Sequence, residues 1–199
     1  MRTLSAGMVL MFGMLALAED AAAPVGSAYY PLKPGSKWTY VVRDQKDRFS
    51  IVVDEHKTKI GEFPTSFVLK ASVGDKAVTE EYVVPSAKGV VRIQTGTEII
   101  LPELPILQKE MKKDDKWTST FKVGSARGDE IRADCTVDEE TIRVPAGEYK
   151  TIKVISTVTE KGMVLKSTVW YAKDVGMVKQ EINYGDSKVD LELEKYDKK

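Results

Sequence analysis

The sequence has very few of the residues from which most catalytic and metal sites are built. Cysteine and histidine each occur once in 199 residues, as Cys135 and His56. A single cysteine excludes an intramolecular disulfide, and one residue of each kind is too few for a zinc site. Cys135 also alternates with polar neighbours, which predicts a position in the core. We predict a protein without enzymatic activity, metal or cofactor.

An excess of one charge sign is also lacking, since 30 basic residues stand against 30 acidic ones. Such a balance produces no long-range field that would attract nucleic acid, so we predict no nucleic-acid partner. Adjacent acids such as Glu80 and Glu81 point to opposite faces of a strand and cannot share a substrate. We interpret these acids as facing solvent. A hydrolase that draws carboxylates from different strands is a less favoured alternative.

Long apolar runs are missing except at the N-terminus. There, an uncharged stretch from Thr3 to Ala18 follows Arg2 and ends in small residues. This pattern is typical of a signal peptide, predicted over residues 1–18, and the stretch is too short to span a bilayer. Glu19 occupies the position at which a bacterial lipoprotein carries its cysteine. We expect an exported, soluble protein, periplasmic or extracellular, with no lipid anchor and no transmembrane segment in the mature chain.

The remaining sequence is dominated by alternating apolar and polar residues, as in the run that contains Val189, Leu191 and Leu193. This period of two indicates strands with one buried face. Glycine-containing pairs at 74–75, 161–162 and 185–186 are typical of two-residue hairpin turns. We predict an all-β fold, an antiparallel curved sheet or (half-)barrel of about ten strands. A short flexible segment at 19–28 would precede a single domain at 29–197.

Two prolines interrupt the alternation in the segment "EIILPELPILQKEM", residues 98–111. Proline cannot donate to a strand ladder, which argues against a central strand here. We expect a connection whose apolar side chains pack over an open end or face of the sheet. A mobile lid over a cavity and a static plug are both compatible with this pattern. The candidate lid residues are Ile99, Ile100, Leu101 and Leu104.

Trp38 and Trp117 lie in the same Lys-Trp-Thr tripeptide. Further matches follow both copies in the same order, namely a "VDE", a Gly-Glu-aromatic turn and a glycine before a valine-containing strand. Matches in a constant order favour an internal duplication over chance. We predict two similar halves, at about 29–97 and 105–197, in which the two tryptophans occupy equivalent, largely buried positions.

Three stretches resemble a group of exported bacterial β-rich proteins that are similar to the Lol-type lipoprotein carriers. These stretches are "YYPLKPGSKWTY", "VPAGEYKTIKV" and "VWYAKDVGMVKQE". The resemblance implies a half-barrel and at most a cavity for an apolar ligand. It implies no catalytic residues.

Aromatic side chains form the one distinctive set of candidate binding residues. They could line a cavity or simply fill the core of a barrel. Together with export, they favour a non-enzymatic binding or carrier module for an apolar or amphipathic ligand, such as a lipid or a lipoprotein acyl chain. The alternative is a structural or interaction protein of the cell envelope with a solid core and a protein partner. The cavity candidates are Trp38, Tyr40, Tyr82, Trp117, Phe121, Trp170 and Tyr171.

Overall fold

The computed structural model describes residues 28–43, 45–87 and 89–199. The predicted signal peptide and residues 19–27 lie outside this part of the chain. The described residues form twelve β-strands and no helix, which confirms the all-β class with two strands more than predicted. The strands are β1 Lys37–Val42, β2 Arg48–His56, β3 Ser66–Val73, β4 Lys76–Ser86, β5 Gly89–Thr95, β6 Glu98–Gln108, β7 Lys116–Val123, β8 Ile131–Val144, β9 Gly147–Glu160, β10 Met163–Ala172, β11 Gly176–Tyr184 and β12 Ser187–Asp197.

The strands form a closed antiparallel barrel in sequence order. Each strand pairs with its neighbours along the chain, and β1 pairs with β12 to complete the ring. Closure pairs the outer strands β1 and β12 with each other, so neither is left as a free edge that could be a site for aggregation. Short turns make this order possible. At the β9–β10 turn, for example, Lys161 and Gly162 have φ angles of 48° and 82°, the pair of positive values that a type I′ hairpin turn requires.

The prediction of a connection at 98–111 is wrong, because most of this segment forms strand β6 in the barrel wall. Its prolines are tolerated because β6 is only partly paired. Residues 100–103 have no partner in β5, and β6 pairs with β7 at only two positions. Pro102 lies in the unpaired part, where no ladder hydrogen bond is lost to the missing N–H. The contact between β6 and β7 is therefore the most sparsely bonded seam of the barrel.

The N-terminal part of the described chain crosses one end of the barrel, which we term the closed end. The Asp174 N–H, after β10, donates a hydrogen bond of 2.7 Å to the carbonyl of Ala28, and the Gly35 N–H donates one of 2.8 Å to Val53 in β2. Between these anchors, Leu32 is buried and Tyr30 reaches the barrel interior. The hairpin turns after β3, β9 and β11 lie at the opposite end, which we term the turn end.

Trp38 and Trp117 are each the second residue of a strand, in β1 and β7. Trp38 is buried, as predicted, whereas Trp117 is only half-buried. The twelve strands divide into two sets of six, and the hairpin turn after β3 corresponds in place to the turn after β9. This is a correspondence of position, and the internal duplication itself stays a prediction.

Candidate ligand-binding cavity

The barrel encloses a cavity of about 410 Å³. Its wall is formed by the inward-facing side chains of alternate strand positions, among them Ile51, Leu69, Val154 and Val169. Barrels of about eight strands can be filled by their own side chains, whereas twelve strands enclose a wider interior. The volume lies within the range of roughly 300–1,000 Å³ that is usual for small-molecule sites. The interior can therefore accommodate a ligand.

Three of the predicted aromatic residues, Trp38, Tyr40 and Tyr171, line the cavity. The first two are fixed by hydrogen bonds to the chain after β10. The Trp38 Nε1–H donates to the Val175 carbonyl at 2.6 Å, and the Tyr40 hydroxyl donates to the Met177 carbonyl at 3.0 Å. Both side chains are almost completely buried, Tyr40 fully so, so they form part of the packed wall beside the cavity.

The other four predicted aromatic residues are not among those that line the cavity. Trp170 donates a hydrogen bond of 2.9 Å to Glu140 and lies beside the ammonium groups of Lys153 and Lys179. The remaining three have separate partners: Tyr82 packs with Ile60 and Ile93, Phe121 with Ile100 and Ile131, and Trp117 against Cys135 and Val137. Their sequence pattern indicated burial, but it did not show which apolar cluster each would join.

The four candidate lid residues are positions in strand β6. Leu104 lines the cavity, and Ile100 is buried in the core beside Phe121. Ile99 is half-buried and pairs with β5, and Leu101 is 43% exposed. They form part of the wall next to the β6–β7 seam. That they move as a lid stays a prediction.

A group of polar side chains interrupts the apolar lining, and we term it the polar cluster: Tyr30, Glu81, Arg92 and Tyr171. Arg92 Nη2 lies 2.7 Å from Glu81 Oε2. Each of these two side chains is 27% accessible, and because both line the cavity, this surface faces the interior. Burial is the largest single influence on the pKa of Arg92 and lowers it, but Glu81, Tyr30 and Tyr171 together outweigh burial and raise that pKa.

One donor of the polar cluster has no partner within the described part of the chain. Arg92 Nε is buried and lacks a hydrogen-bond acceptor among the described residues. A buried donor without an acceptor costs about 1–3 kcal/mol. The pair with Glu81 thus neutralises the charge of Arg92 and leaves part of its hydrogen-bonding capacity unused.

The two tyrosines of the polar cluster come from opposite parts of the chain. Tyr30 belongs to the segment that crosses the closed end and Tyr171 to β10, and their ring centres are 6.0 Å apart. Burial raises the pKa of both hydroxyls, and the negative charge of Glu81 raises that of Tyr30 further. Both groups are therefore protonated hydrogen-bond donors at neutral pH.

The interpretation of Glu81 as a solvent-facing acid is wrong. In β4 it alternates with its neighbours so that Thr79 and Glu81 both line the cavity and Val83 is fully buried. The strand period of two could have placed Glu81 on the face of Val83. Arg92 lies on the same face of β5 as Val90, but Val91 and Ile93 on the other face are buried as well, so the pattern of β5 did not show which face is the inner one.

Cys135 also lines the cavity and is buried, which confirms its predicted core position. Burial, with the nearby charge of Asp134, raises the pKa of the thiol to about 11. The thiol is thus protonated at neutral pH, whereas the thiolate is the reactive form of cysteine. Its surroundings make it a lining residue without nucleophilic character.

Apolar side chains are exposed around the turn end, and we term them the apolar rim: Val78, Leu101, Val123, Met163, Val164, Tyr184 and Val189. Along β10 and β11, Leu165 and Ile182 line the cavity. The next positions on the same face, Met163 and Tyr184, are 50% and 51% exposed. The inward-facing rows of β10 and β11 therefore become exposed to solvent at the turn end. The cavity opens on this side.

Within the part of the chain that the structure describes, no group of three or more His, Cys, Asp or Glu side chains is arranged to hold a metal ion. Over the same residues there is no helix with the length and apolar character needed to cross a membrane.

Two solved structures are similar to this chain. One is a Bacteroides fragilis protein described as exported and as having a YmcC-like fold, with a TM-score of 0.50 and 14% identity over 85% of this chain and 98% of that chain. Another is a Parabacteroides distasonis protein described as a lipoprotein, with a TM-score of 0.44 and 16% identity over 86% and 99% of the two chains. The first likeness shows a shared fold.

No protein of curated function matches this sequence. The similarity to Lol-type carriers stays a prediction. The family comparison is more specific, because the DUF3108-like family matches residues 76–189, which is more than half of the chain. The matched region runs from the start of β4 into β12 and includes both Glu81 and Arg92. The chain therefore belongs to the DUF3108-like family.

Proposed function

We propose that this protein is a non-enzymatic carrier that holds an apolar or amphipathic molecule, such as a lipid, inside its barrel. The observation that carries this proposal is the cavity of about 410 Å³ inside a closed twelve-stranded wall. Apolar side chains supply most of the lining, and a few convergent polar groups interrupt it. This combination is typical of sites that bind a small molecule by burying it.

The apolar rim supports entry of the ligand at the turn end. Two of its exposed residues, Met163 and Tyr184, continue the inward-facing rows of β10 and β11 into solvent. A ligand with an acyl chain would contact apolar surface from the rim to the interior. Exposed apolar side chains gathered at one site commonly mark such binding surfaces.

The groups inside the cavity suit binding better than catalysis. The carboxylate of Glu81 is engaged by Arg92 at 2.7 Å, and the thiol of Cys135 is protonated at neutral pH because burial raises its pKa to about 11. A general base or nucleophile would need a free carboxylate or a thiolate. We place this carrier in the periplasm or outside the cell on the basis of the predicted signal peptide.

The alternative role, docking of a protein partner on the 98–111 segment, has weaker support. Ile100 is buried in the core beside Phe121, so replacement of Ile99, Ile100 and Leu101 by serine would damage the wall of the barrel. Of these three side chains only Leu101 is exposed, at 43%, so the segment offers little apolar surface to a partner.

Lipid extraction tests the proposed function directly. The protein is purified from its native compartment, extracted with organic solvent and analysed by mass spectrometry. We expect a co-purifying amphiphile in a ratio near one per chain. The variant Val169→Trp, which fills the cavity, should be empty, and Ile155→Trp, at a 37% exposed site on the adjacent strand, should keep the ligand. A wild-type protein that is reproducibly empty and binds no added lipid would contradict the proposal.

A further inference from the structure

We propose that the polar cluster selects an amphiphile with an uncharged acyl head group, an ester or an amide, over one with a carboxylate. This inference rests on the proposed function, because it names the head group of the molecule that the cavity would hold. It follows from the charge balance of the cavity, from its free hydrogen-bond donors and from the position of the cluster in the barrel.

The cavity is already neutral. Among the described residues that line it, Glu81 and Arg92 are the charged ones, and their charged atoms lie 2.7 Å apart. A carboxylate that entered would add a negative charge without a counter-charge. Burying an unpaired charge among apolar groups costs several kcal/mol, whereas an ester or amide adds no charge.

The cluster nevertheless offers hydrogen bonds to a ligand. The guanidinium of Arg92 carries five N–H donors, more than its contact with Glu81 uses, and its side chain keeps 27% of its surface accessible. The hydroxyls of Tyr30 and Tyr171 are protonated donors in the same cluster. An acyl carbonyl oxygen is an uncharged acceptor, so it matches donors whose charge has been neutralised.

The position of the cluster gives the ligand a direction. Tyr30 belongs to the segment that crosses the closed end, and Tyr171 lies near the end of β10 that leads to the same side. The apolar rim lies at the opposite end. A ligand would therefore hold its polar head deep in the barrel and direct its acyl chain toward the turn end.

The test compares three twelve-carbon probes on the protein after removal of bound lipid: methyl laurate, lauramide and sodium laurate. Binding is measured by titration calorimetry at pH 8, where laurate is ionised, and below the concentrations at which the probes aggregate. We expect the ester and the amide to bind at least tenfold more tightly than laurate.

The variant Glu81→Gln sharpens this comparison. This variant removes the negative charge that neutralises Arg92, with little change of side-chain volume. The preference between the probes should therefore invert, with laurate binding at least tenfold more tightly than methyl laurate. The control is Glu194→Gln, because Glu194 accepts a bond of the same 2.7 Å from Arg48 at an exposed site. It should keep the wild-type order, and thermal melting confirms that both variants fold.

The outcomes separate the two proposals. Laurate that binds the wild-type protein as tightly as methyl laurate overturns the head-group inference and leaves the carrier function standing. Failure of all three probes to bind, together with an empty protein on lipid extraction, overturns both. If Glu81→Gln does not fold, the ratio of wild-type affinities still decides the question.

Discussion

Replacing Arg92 by methionine should lower the free energy of unfolding by about 2–3 kcal/mol. The substitution keeps an unbranched side chain but leaves the carboxylate of Glu81 inside the barrel without its partner at 2.7 Å. Removing one member of a fully buried ion pair costs about 3–5 kcal/mol. Here each side chain is 27% accessible from the cavity, and water in the cavity would solvate the remaining charge, so the expected loss lies below that range.

The loss of stability is measured by urea unfolding of lipid-free protein, followed by tryptophan fluorescence. Bound ligand must be removed first, because any molecule that binds only the folded state raises the apparent stability. The control is Arg132→Met, since Arg132 and Asp134 are also 2.7 Å apart but 60% and 47% exposed. Solvent screens exposed pairs, so the control should unfold close to the wild-type urea concentration.

A second variant isolates the charge effect. In Arg92→Met/Glu81→Leu both charges are removed together, and replacing a buried pair by apolar side chains is often neutral or stabilising. We expect the double variant to regain most of the stability lost in Arg92→Met. The reasoning fails if Arg92→Met is no more destabilised than Arg132→Met, because the pair would then be solvated like one on the surface.

Three further predictions concern other parts of the barrel. Gly89→Ala should prevent folding, because a Cβ there would overlap the carbonyl oxygen of Leu107. Gly185→Ala has no atom within 4 Å of the added Cβ, so it should lower the free energy of unfolding by only about 1 kcal/mol, the cost of a positive φ. Circular dichroism after expression distinguishes the two variants. Cys135 should react with a thiol reagent roughly a hundredfold more slowly than a free cysteine of pKa 9.0. Its reaction rate should rise with pH until about pH 11. A rate that levels off near pH 9 would show an ordinary thiol. Trp38→Phe should remove the hydrogen bond to the Val175 carbonyl and lower the free energy of unfolding by about 2 kcal/mol. The corresponding fall in Tm is about 4–8 °C. An unchanged melting curve would show that this hydrogen bond does not contribute to stability.

The strands were predictable because their signal is local. Alternation and two-residue turns depend on near neighbours, and they located the hairpin at 161–162 as well as the strand that contains Leu191 and Leu193. Barrel closure depends instead on the pairing of β1 with β12, which joins opposite ends of the domain and leaves no local pattern. Strand β6 was missed for a related reason. The rule that excludes proline from central strands assumes full pairing on both sides, and the partial pairing of β6 is a property of the assembled barrel.

The cavity residues were likewise predictable only where the signal is local. Burial of Trp38 could be predicted from its place at the start of an amphipathic strand, but the side of the wall on which Trp170 or Tyr82 would pack depends on other segments. Glu81 and Arg92 were overlooked because charged residues are usually on the surface. Alternation did not identify the inner face either, because Val78, Tyr82 and Val84 alternate with Glu81 in β4, and Val91 and Ile93 alternate with Arg92 in β5.

The Glu81–Arg92 pair is difficult to explain as a device for stability. A solid barrel would gain as much or more from apolar side chains at both positions, since a buried ion pair seldom repays the cost of its desolvation. The pair also leaves Arg92 Nε without an acceptor among the described residues, which adds a further cost. If the double variant Arg92→Met/Glu81→Leu is as stable as the wild type but no longer distinguishes methyl laurate from laurate, stability and selectivity are separate properties of these residues. A charged pair inside a barrel departs from the rule that interior positions are apolar. Such departures are expected where function, and not folding, determines which residue is present.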